Sequence, residues 1–419
     1  MISLGVWRWA QEILVPAYTA KVVTSARPTG NNSDLYPRWF GSRELLLHRR
    51  DPYSREVTRG IQTGFYGRPL DPNNPSDPTA QESFVYPLYV AFLLAPTVRL
   101  PFSTVVAIFR GVLLVSIAFS VPLWMYGTGL RARWPLVVSG MLLALGSYVA
   151  IEEYYQQNLT ALVVLMLAAA AAAAARNWLI LGGFLLALAT VKPDTTGLMV
   201  LWFLLWAFAR WRERRRLIFG FVLSLAALLL AAEFTLPHWI ARFLAALREY
   251  PAYGTDPTVL DVLLPAVLAR ITLALLVVAL ALQCWRWRRA TAGSEEFRWA
   301  LAWVAAVTLA IIPKLAAYNQ LLLVPTLLVL LAHVGKVANP LARILSRAAL
   351  ACQVWQWLAA SVLAVCSLVI SAASLRKAAE IPMYTLLALV PLTLAAILSS
   401  TYALRSRATT RLPKTLRDI

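Results

Sequence analysis

The chain of 419 residues is poor in charged side chains, and acidic ones are the scarcer kind. Asp, Glu, Lys and Arg together make up 14% of it, against about 25% in ordinary soluble domains. Hydrophobic residues make up 60% of the chain, and the mean hydropathy is +0.65. A water-soluble domain cannot bury that much apolar side chain, so the composition indicates a polytopic membrane protein.

Cysteine and several common motifs are also missing or rare. Cys284, Cys352 and Cys366 lie in or beside apolar runs, in odd number and without CxxC spacing, so neither a disulfide framework nor a zinc site is expected. The absence of a glycine-rich phosphate loop, of HExxH and of GxSxG argues against a nucleotide-driven pump, a zincin and a serine hydrolase. The first apolar segment lacks the features of a cleaved signal peptide.

The net charge of +19 has a topological explanation. In a soluble chain it would suggest nucleic acid, but no RNP, zinc-finger or helix-turn-helix pattern is present, and no nucleic-acid partner is expected. Membrane proteins collect Lys and Arg in their cytoplasmic loops. The basic loops, such as RWRERRR at 210–216, fall on one side of the predicted topology, so that side is assigned to the cytoplasm together with both termini.

The hydropathy pattern predicts an all-α bundle of about twelve membrane spans, because each apolar run is long enough for a helix to cross the hydrocarbon core. The chain is treated as one domain, 1–419. It contains an exoplasmic loop at 24–102, a second outer loop at 237–261 and a cytoplasmic basic tail at 405–419. Interfacial helices are expected in the first loop, one following Pro37 and one at 84–100. The predicted spans are 3–23, 103–127, 134–151, 158–175, 178–191, 196–210, 217–236, 262–283, 298–313, 318–334, 349–371 and 383–404.

Polar groups gather at the span ends that this topology places outside. Asp34 follows the first span, and Arg110 and Arg270 lie about two turns inside theirs. Charges at such depth usually face protein or a wet cavity. Alternatively, the two arginines extend to the lipid headgroups, and Asp34 is an acid that caps the start of a helix. A carboxylate near cations suits a lipid-linked phosphate donor, because the cations stabilise the leaving phosphate while the carboxylate takes a hydroxyl proton. Further polar segments are EEYYQQN (152–158), KPD (192–194) and PKLAAYNQ (313–320).

Four segments in order carry a family resemblance: DLYPRWFGSRELLLHRRDPYS, FVYPLYVAFLLAP, YYQQN and LGGFLLALATVKP. Over about residues 31–335 the chain resembles the family 87 glycosyltransferases of the GT-C superfamily, bacterial membrane enzymes of the polyprenol-phosphate-mannose-dependent type. The resemblance implies that Asp34 is the catalytic carboxylate. It places a Gln-x-Asn element near Gln157 and Asn158, and a Lys-Pro element at Lys192. Because users of polyprenyl-phosphate sugars resemble the metal-independent members, neither a metal nor another cofactor is expected.

The resulting prediction is an inverting glycosyltransferase in the bacterial inner (plasma) membrane, with spans 103–236 as its catalytic module and spans 262–404 completing the bundle. It would move a sugar such as mannose from a polyprenyl-phosphate carrier to an envelope glycolipid or glycan acceptor on the exoplasmic side. The expected partners are therefore the carrier-linked sugar, a lipid or glycan acceptor and membrane lipids. Asp34 is predicted as the base. The phosphate is assigned to Lys192, Arg270, Arg110 and Lys314, and substrate binding to Tyr36, Arg38, Glu153, Gln157 and Asn158.

Two other functions fit parts of the sequence. A secondary transporter or flippase of lipid-linked substrates would also be polytopic, but such folds often show two repeats and a site near the bilayer midplane, and neither is visible here. A non-catalytic scaffold of an envelope-assembly complex is the second alternative. Transfer of a labelled sugar would distinguish both from an enzyme.

Overall fold

The computed structural model shows a chain folded into helices, and its described residues contain no β-strand. The all-helical prediction is therefore confirmed. The structure describes residues 1–24, 30–31, 33–71, 73–74, 77–78, 81–250, 257–313, 316–337 and 339–410.

The helices follow one another with short connections, and a π-helical segment, Ala10–Leu14, joins the first two. In chain order they are α1 (Ile2–Trp9), α2 (Val15–Thr24), α3 (Leu35–His48), α4 (Arg55–Tyr66), α5 (Val90–Leu94), α6 (Phe102–Gly127), α7 (Trp134–Leu145), α8 (Tyr148–Gln156), α9 (Thr160–Ala175), α10 (Leu179–Ala189), α11 (Pro193–Phe208), α12 (Trp211–Thr235), α13 (Trp239–Glu249), α14 (Val259–Leu263), α15 (Ala266–Trp287), α16 (Glu295–Ile311), α17 (Val324–His333), α18 (Pro340–Cys366), α19 (Ala372–Leu375) and α20 (Leu386–Thr410).

Five helical segments among the described residues are long and apolar enough to cross a membrane: α6, α12, α15, α18 and Ala372–Thr401. The pair α7 and α8 would make a sixth span, bent by 53°. Helices α9, α10 and α11 are apolar but short. At about 1.5 Å per residue, α9 reaches about 24 Å, less than the roughly 30 Å of a hydrocarbon core. Twelve spans are thus not confirmed, because several apolar runs end early in turns.

The first predicted loop contains no candidate span among the described residues of 30–101, but its two predicted interfacial helices differ from expectation. Helix α3 buries its polar side as well, since Arg38 and Ser42 are 2% and 0% exposed. The segment 84–100 contains only the short α5 and a 3-10 turn, and Phe84 and Leu88 pack fully buried in the core. Contacts with protein replace the lipid contacts that hydropathy suggested.

Helix packing brings distant polar turns together. Helix α6 packs along α9, α9 against α10, and α10 against α12. Helix α16 lies between α11, α15, α17 and α20, and nearly every residue from Phe297 to Ala310 is buried. The start of α3 contacts the α8–α9 turn through hydrogen bonds, and the α10–α11 turn contacts both α9 and the 3-10 segment Ala317–Leu323. These helix ends form the candidate site.

Candidate active site

Asp34 is the residue before the first turn of α3, and two contacts attach it to the α8–α9 turn. Its backbone N–H donates to the Gln156 carbonyl at 2.8 Å, and the Ser33 hydroxyl donates to Gln157 Oε1 at 2.7 Å. This attachment places the half-buried Asp34 carboxylate beside Asn158, whose Nδ2 donates to Asp34 Oδ2 at 2.7 Å. The position of the carboxylate is therefore set by the α8–α9 turn as well as by its own helix.

Lys192 lies on the other side of Asn158, in the turn between α10 and α11, and is 5% exposed. Its Nζ donates to Asn158 Oδ1 at 3.0 Å, to Asn319 Oδ1 at 3.0 Å and to the Thr160 hydroxyl. These three acceptors are neutral and use the three N–H groups of the ammonium. The hydrogen bonds hold the cation in place but leave its charge without a directly bonded carboxylate.

The environment of Lys192 changes its acid strength. Burial, the largest cause, lowers the pKa of Lys192 from its ordinary value of 10.5 to about 8, because desolvation disfavours the charged form. The ammonium is therefore still charged near neutral pH, and it loses its proton at a lower pH than an exposed lysine.

Arg38 supplies a second buried cation one helical turn after Asp34. Its guanidinium donates to the Asp34 carbonyl and to the Tyr86 hydroxyl, and it lies 4.1 Å from the centre of the Tyr86 ring. The contact with the carbonyl joins the arginine to the backbone of the carboxylate residue. Arg38 therefore ties the start of α3 to the segment before α5.

Asp34, Arg38 and Lys192 line one cleft of about 60 Å³. Ligand pockets usually have roughly 300–1,000 Å³, so a sugar can enter this cleft only if lining side chains move. The charged lining consists of the two cations and the carboxylates of Asp34, Glu82 and Asp194, so the cleft is not uniformly positive. Its other lining residues are Pro37, Ser83, Val85, Tyr86, Asn158, Tyr250, Ile312, Pro313, Tyr318 and Asn319.

Three of the predicted substrate-binding residues lie around the cleft without lining it. Gln157 holds Ser33, as described above. Glu153 is fully buried: its Oε1 accepts from the Ala161 N–H at 2.6 Å, and its Oε2 has no hydrogen-bond partner among the described residues. Tyr36 packs in an aromatic cluster, with its ring centre 4.9 Å from that of Phe102.

The arginines predicted to bind phosphate are not brought to the cleft. Arg110 Nε donates to the Tyr154 carbonyl at 3.3 Å, and its guanidinium lies 4.5 Å from the centre of the Tyr154 ring. Arg270 is exposed on α15. Lys314 lies outside the described residues.

Sequence reasoning missed three partners of Lys192. Thr160 and Asn319 accept from its Nζ, and the centre of the Tyr318 ring lies 5.0 Å from the same nitrogen. The segment PKLAAYNQ contains both Lys314, which was predicted as a phosphate ligand, and Asn319, which was not predicted as a site residue. Burying a charged group is costly unless it is hydrogen-bonded, so a buried lysine requires acceptors near it. The amide of Asn319, at the end of a neighbouring apolar run, is such an acceptor.

The apolar helices and the charged cleft where their ends meet define a membrane-embedded helical protein with a polar site. A family model described as glycosyltransferase family 87 matches residues 84–313, more than half of the chain, and the chain belongs to that family. The matched region includes Asn158 and Lys192 and begins after Asp34. None of the curated proteins compared with the chain matches it.

Proposed function

We propose that this glycosyltransferase moves a sugar, such as mannose, from a polyprenyl-phosphate carrier to a hydroxyl group of an envelope lipid or glycan on the exoplasmic face of the plasma membrane. The observation that carries the proposal is the pair of hydrogen bonds of Asn158, which join the Asp34 carboxylate to the Lys192 ammonium inside one cleft. A base and a cation in one cleft are the two groups needed to take a hydroxyl proton and to stabilise a leaving phosphate.

Asp34 is the general base of this proposal. Its Oδ2 is held by Asn158, while no hydrogen bond to Oδ1 is made among the described residues. The acceptor hydroxyl loses its proton to the carboxylate as its oxygen attacks the anomeric carbon. The bond from that carbon to the phosphate oxygen breaks, and the electron pair leaves with the polyprenyl phosphate. Attack opposite the leaving group inverts the anomeric configuration.

Lys192 and Arg38 are the cations that would stabilise the donor phosphate. Both are at least 95% buried, and both line the cleft. A charge acts more strongly in such a low-dielectric environment than in water. The carboxylates of Glu82 and Asp194 also line the cleft and would repel a phosphate. The phosphate would therefore bind beside the two cations and away from these carboxylates.

An apolar cavity next to the cleft supports a lipid-linked donor over a soluble one. This cavity of about 260 Å³ shares Ile312 and Asn319 with the cleft, so it adjoins the cleft on the side where Lys192 is held. The first isoprene units of a carrier fit such a lining, whereas a nucleotide does not. The other lining residues are Val259, Leu309, Ala316, Ala317, Gln320, Met383, Leu386, Leu387 and Val390.

The decisive test is Asp34→Asn, which keeps the shape of the side chain and its contact with Asn158 but removes its ability to accept a proton. Transfer of radiolabelled mannose from polyprenyl-phosphate mannose to acceptors in membranes is expected to fall by a factor on the order of 10² to 10⁴. Donor binding and monodispersity in detergent are measured alongside and should not change.

Asp71→Asn is the matched control, since Asp71 is an exposed acid whose Oδ1 accepts from the Asn73 N–H. Near-normal transfer by Asp34→Asn would show that another group is the base. Carrier movement across the membrane without any sugar transfer by the wild type would favour the transporter alternative.

A further inference from the structure

A second and larger groove lies beside the cleft, between α4 and α13, and is called the α4–α13 groove below. Its volume is about 810 Å³, within the range of sites that hold organic ligands. Its walls come from α4, from the turn before α4, from the segment 81–84 and from α13. The lining residues are Asp51, Tyr53, Ser54, Arg55, Thr58, Arg59, Gln62, Leu70, Gln81, Ser83, Phe84, Arg242, Ala245, Ala246, Glu249 and Tyr250.

The groove adjoins the cleft. Ser83 and Tyr250 line both, so the groove and the cleft meet at these two residues. The apolar cavity adjoins the cleft through a different pair, Ile312 and Asn319. The cleft therefore has an apolar neighbour and a polar neighbour, and the two have no lining residue in common.

Specific contacts hold the two walls of the groove. Arg242 of α13 forms an ion pair with Asp51 in the turn before α4. The Tyr53 ring packs 6.3 Å from that of Phe243, and its hydroxyl donates to the Tyr86 carbonyl at 2.6 Å. The buried Gln62 of α4 donates to the Gln81 carbonyl at 2.8 Å. The hydrogen bond of Tyr53 connects the groove to Tyr86, which lines the cleft.

The chemistry of the lining matches a carbohydrate. The lining contains hydroxyl, amide, guanidinium and carboxylate groups. It therefore offers both hydrogen-bond donors and acceptors, and a sugar hydroxyl can act as either partner. The half-buried rings of Tyr53 and Tyr250 supply flat apolar surface between them. The apolar cavity, in contrast, has only two polar residues, Asn319 and Gln320, in its lining.

We infer that the α4–α13 groove binds the sugar units of the acceptor, so that the acceptor is a glycan or glycolipid with its reacting hydroxyl at the Ser83–Tyr250 end. This rests on the proposed function, because the donor is taken to occupy the cleft and the apolar cavity. A simple lipid alcohol has a single hydroxyl, so it would use few of the donors and acceptors that this lining offers.

Thr58 and Thr63 provide a matched pair for the test. Both lie on α4, but Thr58 is half-buried and lines the groove, whereas Thr63 is exposed and does not line it. Each is replaced in turn by a photoreactive amino acid with a slender aliphatic diazirine side chain, which leaves room for a ligand in the groove of about 810 Å³. Membranes are incubated with radiolabelled polyprenyl-phosphate mannose and then irradiated. Because the label moves from donor to acceptor, it should become crosslinked to the protein at position 58 and not at position 63.

A second measurement uses Thr58→Trp and Thr63→Trp. An indole at position 58 should obstruct the acceptor in the groove and lower transfer at least about tenfold. The donor Kd of the detergent-purified protein should stay unchanged, because the donor is taken to bind elsewhere. Normal transfer by a folded Thr58→Trp protein, or equal crosslinking at the two positions, would overturn the inference while leaving the proposed function intact. Absence of any transfer by the wild type would overturn both.

Discussion

Asn158 contacts two groups of opposite charge at once. Its amide nitrogen donates to the Asp34 carboxylate and its amide oxygen accepts from the Lys192 ammonium. This orientation follows from the partners, because an acceptor-only carboxylate requires the N–H₂ side and a donor-only ammonium requires the oxygen. An aspartate at this position could not donate to Asp34. The amide thus stands between the base and the cation in place of a direct ion pair.

The lowered pKa of Lys192 leads to a prediction at the residue scale. If the ammonium stabilises the leaving phosphate, it must be protonated, so kcat/KM for the donor is expected to fall as the pH rises through about 8. In Lys192→Arg this alkaline loss should disappear, because a guanidinium keeps its proton throughout that range. The measurement is the pH profile of both proteins with polyprenyl-phosphate mannose. An alkaline loss at the same pH in Lys192→Arg would assign it to another group.

At the scale of elements, close contacts between helix backbones position the turns that form the site. Helices α10 and α12 approach through Gly183 and Gly220: a Cβ added to Gly183 would lie 2.1 Å from the Leu217 carbonyl oxygen, and one added to Gly220 would lie 2.4 Å from that of Ile180. Small residues at such crossings permit backbone contact where lipid and side chains are equally apolar. Because α10 leads directly into the Lys192 turn, this crossing also helps to position the cation.

Gly183→Ala is therefore expected to destabilise the fold, by roughly 1–3 kcal/mol if the backbone has to shift for the methyl group. Gly197→Ala is the matched control, because a Cβ there meets no atom within 4 Å and the site is also helical. Thermal unfolding in detergent, followed by tryptophan fluorescence, compares the two. Equal melting temperatures for the two variants would show that helices α10 and α12 accommodate the methyl group without loss of stability.

At the scale of the whole molecule, the long helices expose much apolar surface. Many large apolar side chains on α12 and α15 are exposed, for example Phe234 at 87% and Val267 at 70%. Exposed apolar faces of this kind on candidate spans match a lipid environment. The shorter helices α9 and α16 are buried within the bundle instead. Long lipid-facing helices thus enclose short ones, and the ends of the short helices carry the site.

The predicted orientation can be tested by labelling. Residue 63 lies beside the segment leading to Asp34, since the Asn31 N–H donates to the Gly64 carbonyl at 3.0 Å. In a variant lacking the three native cysteines, Thr63→Cys should react with an impermeant thiol reagent added outside intact cells, and Glu213→Cys should not. The reverse pattern would place the cleft in the cytoplasm and exclude an exoplasmic donor.

The sequence by itself determined the helical membrane class and the family, because both depend on local hydropathy and on the order of short segments along the chain. It also marked Asp34, Asn158 and Lys192 as polar groups at the ends of apolar runs. Only the tertiary structure decided which of the marked groups meet: it joined Lys192 to Asn319, 127 residues away, and left Arg270 exposed.

The physical reason lies in what hydropathy measures. It reports the cost of exposing a side chain to water, and a lipid chain and a protein core reduce that cost almost equally. Runs such as α9 and the segment at 84–100 therefore look like lipid-facing elements in the sequence, although both are buried in protein. Which apolar environment surrounds each run, and which polar ends then share a cleft, depends on how the whole set of helices packs.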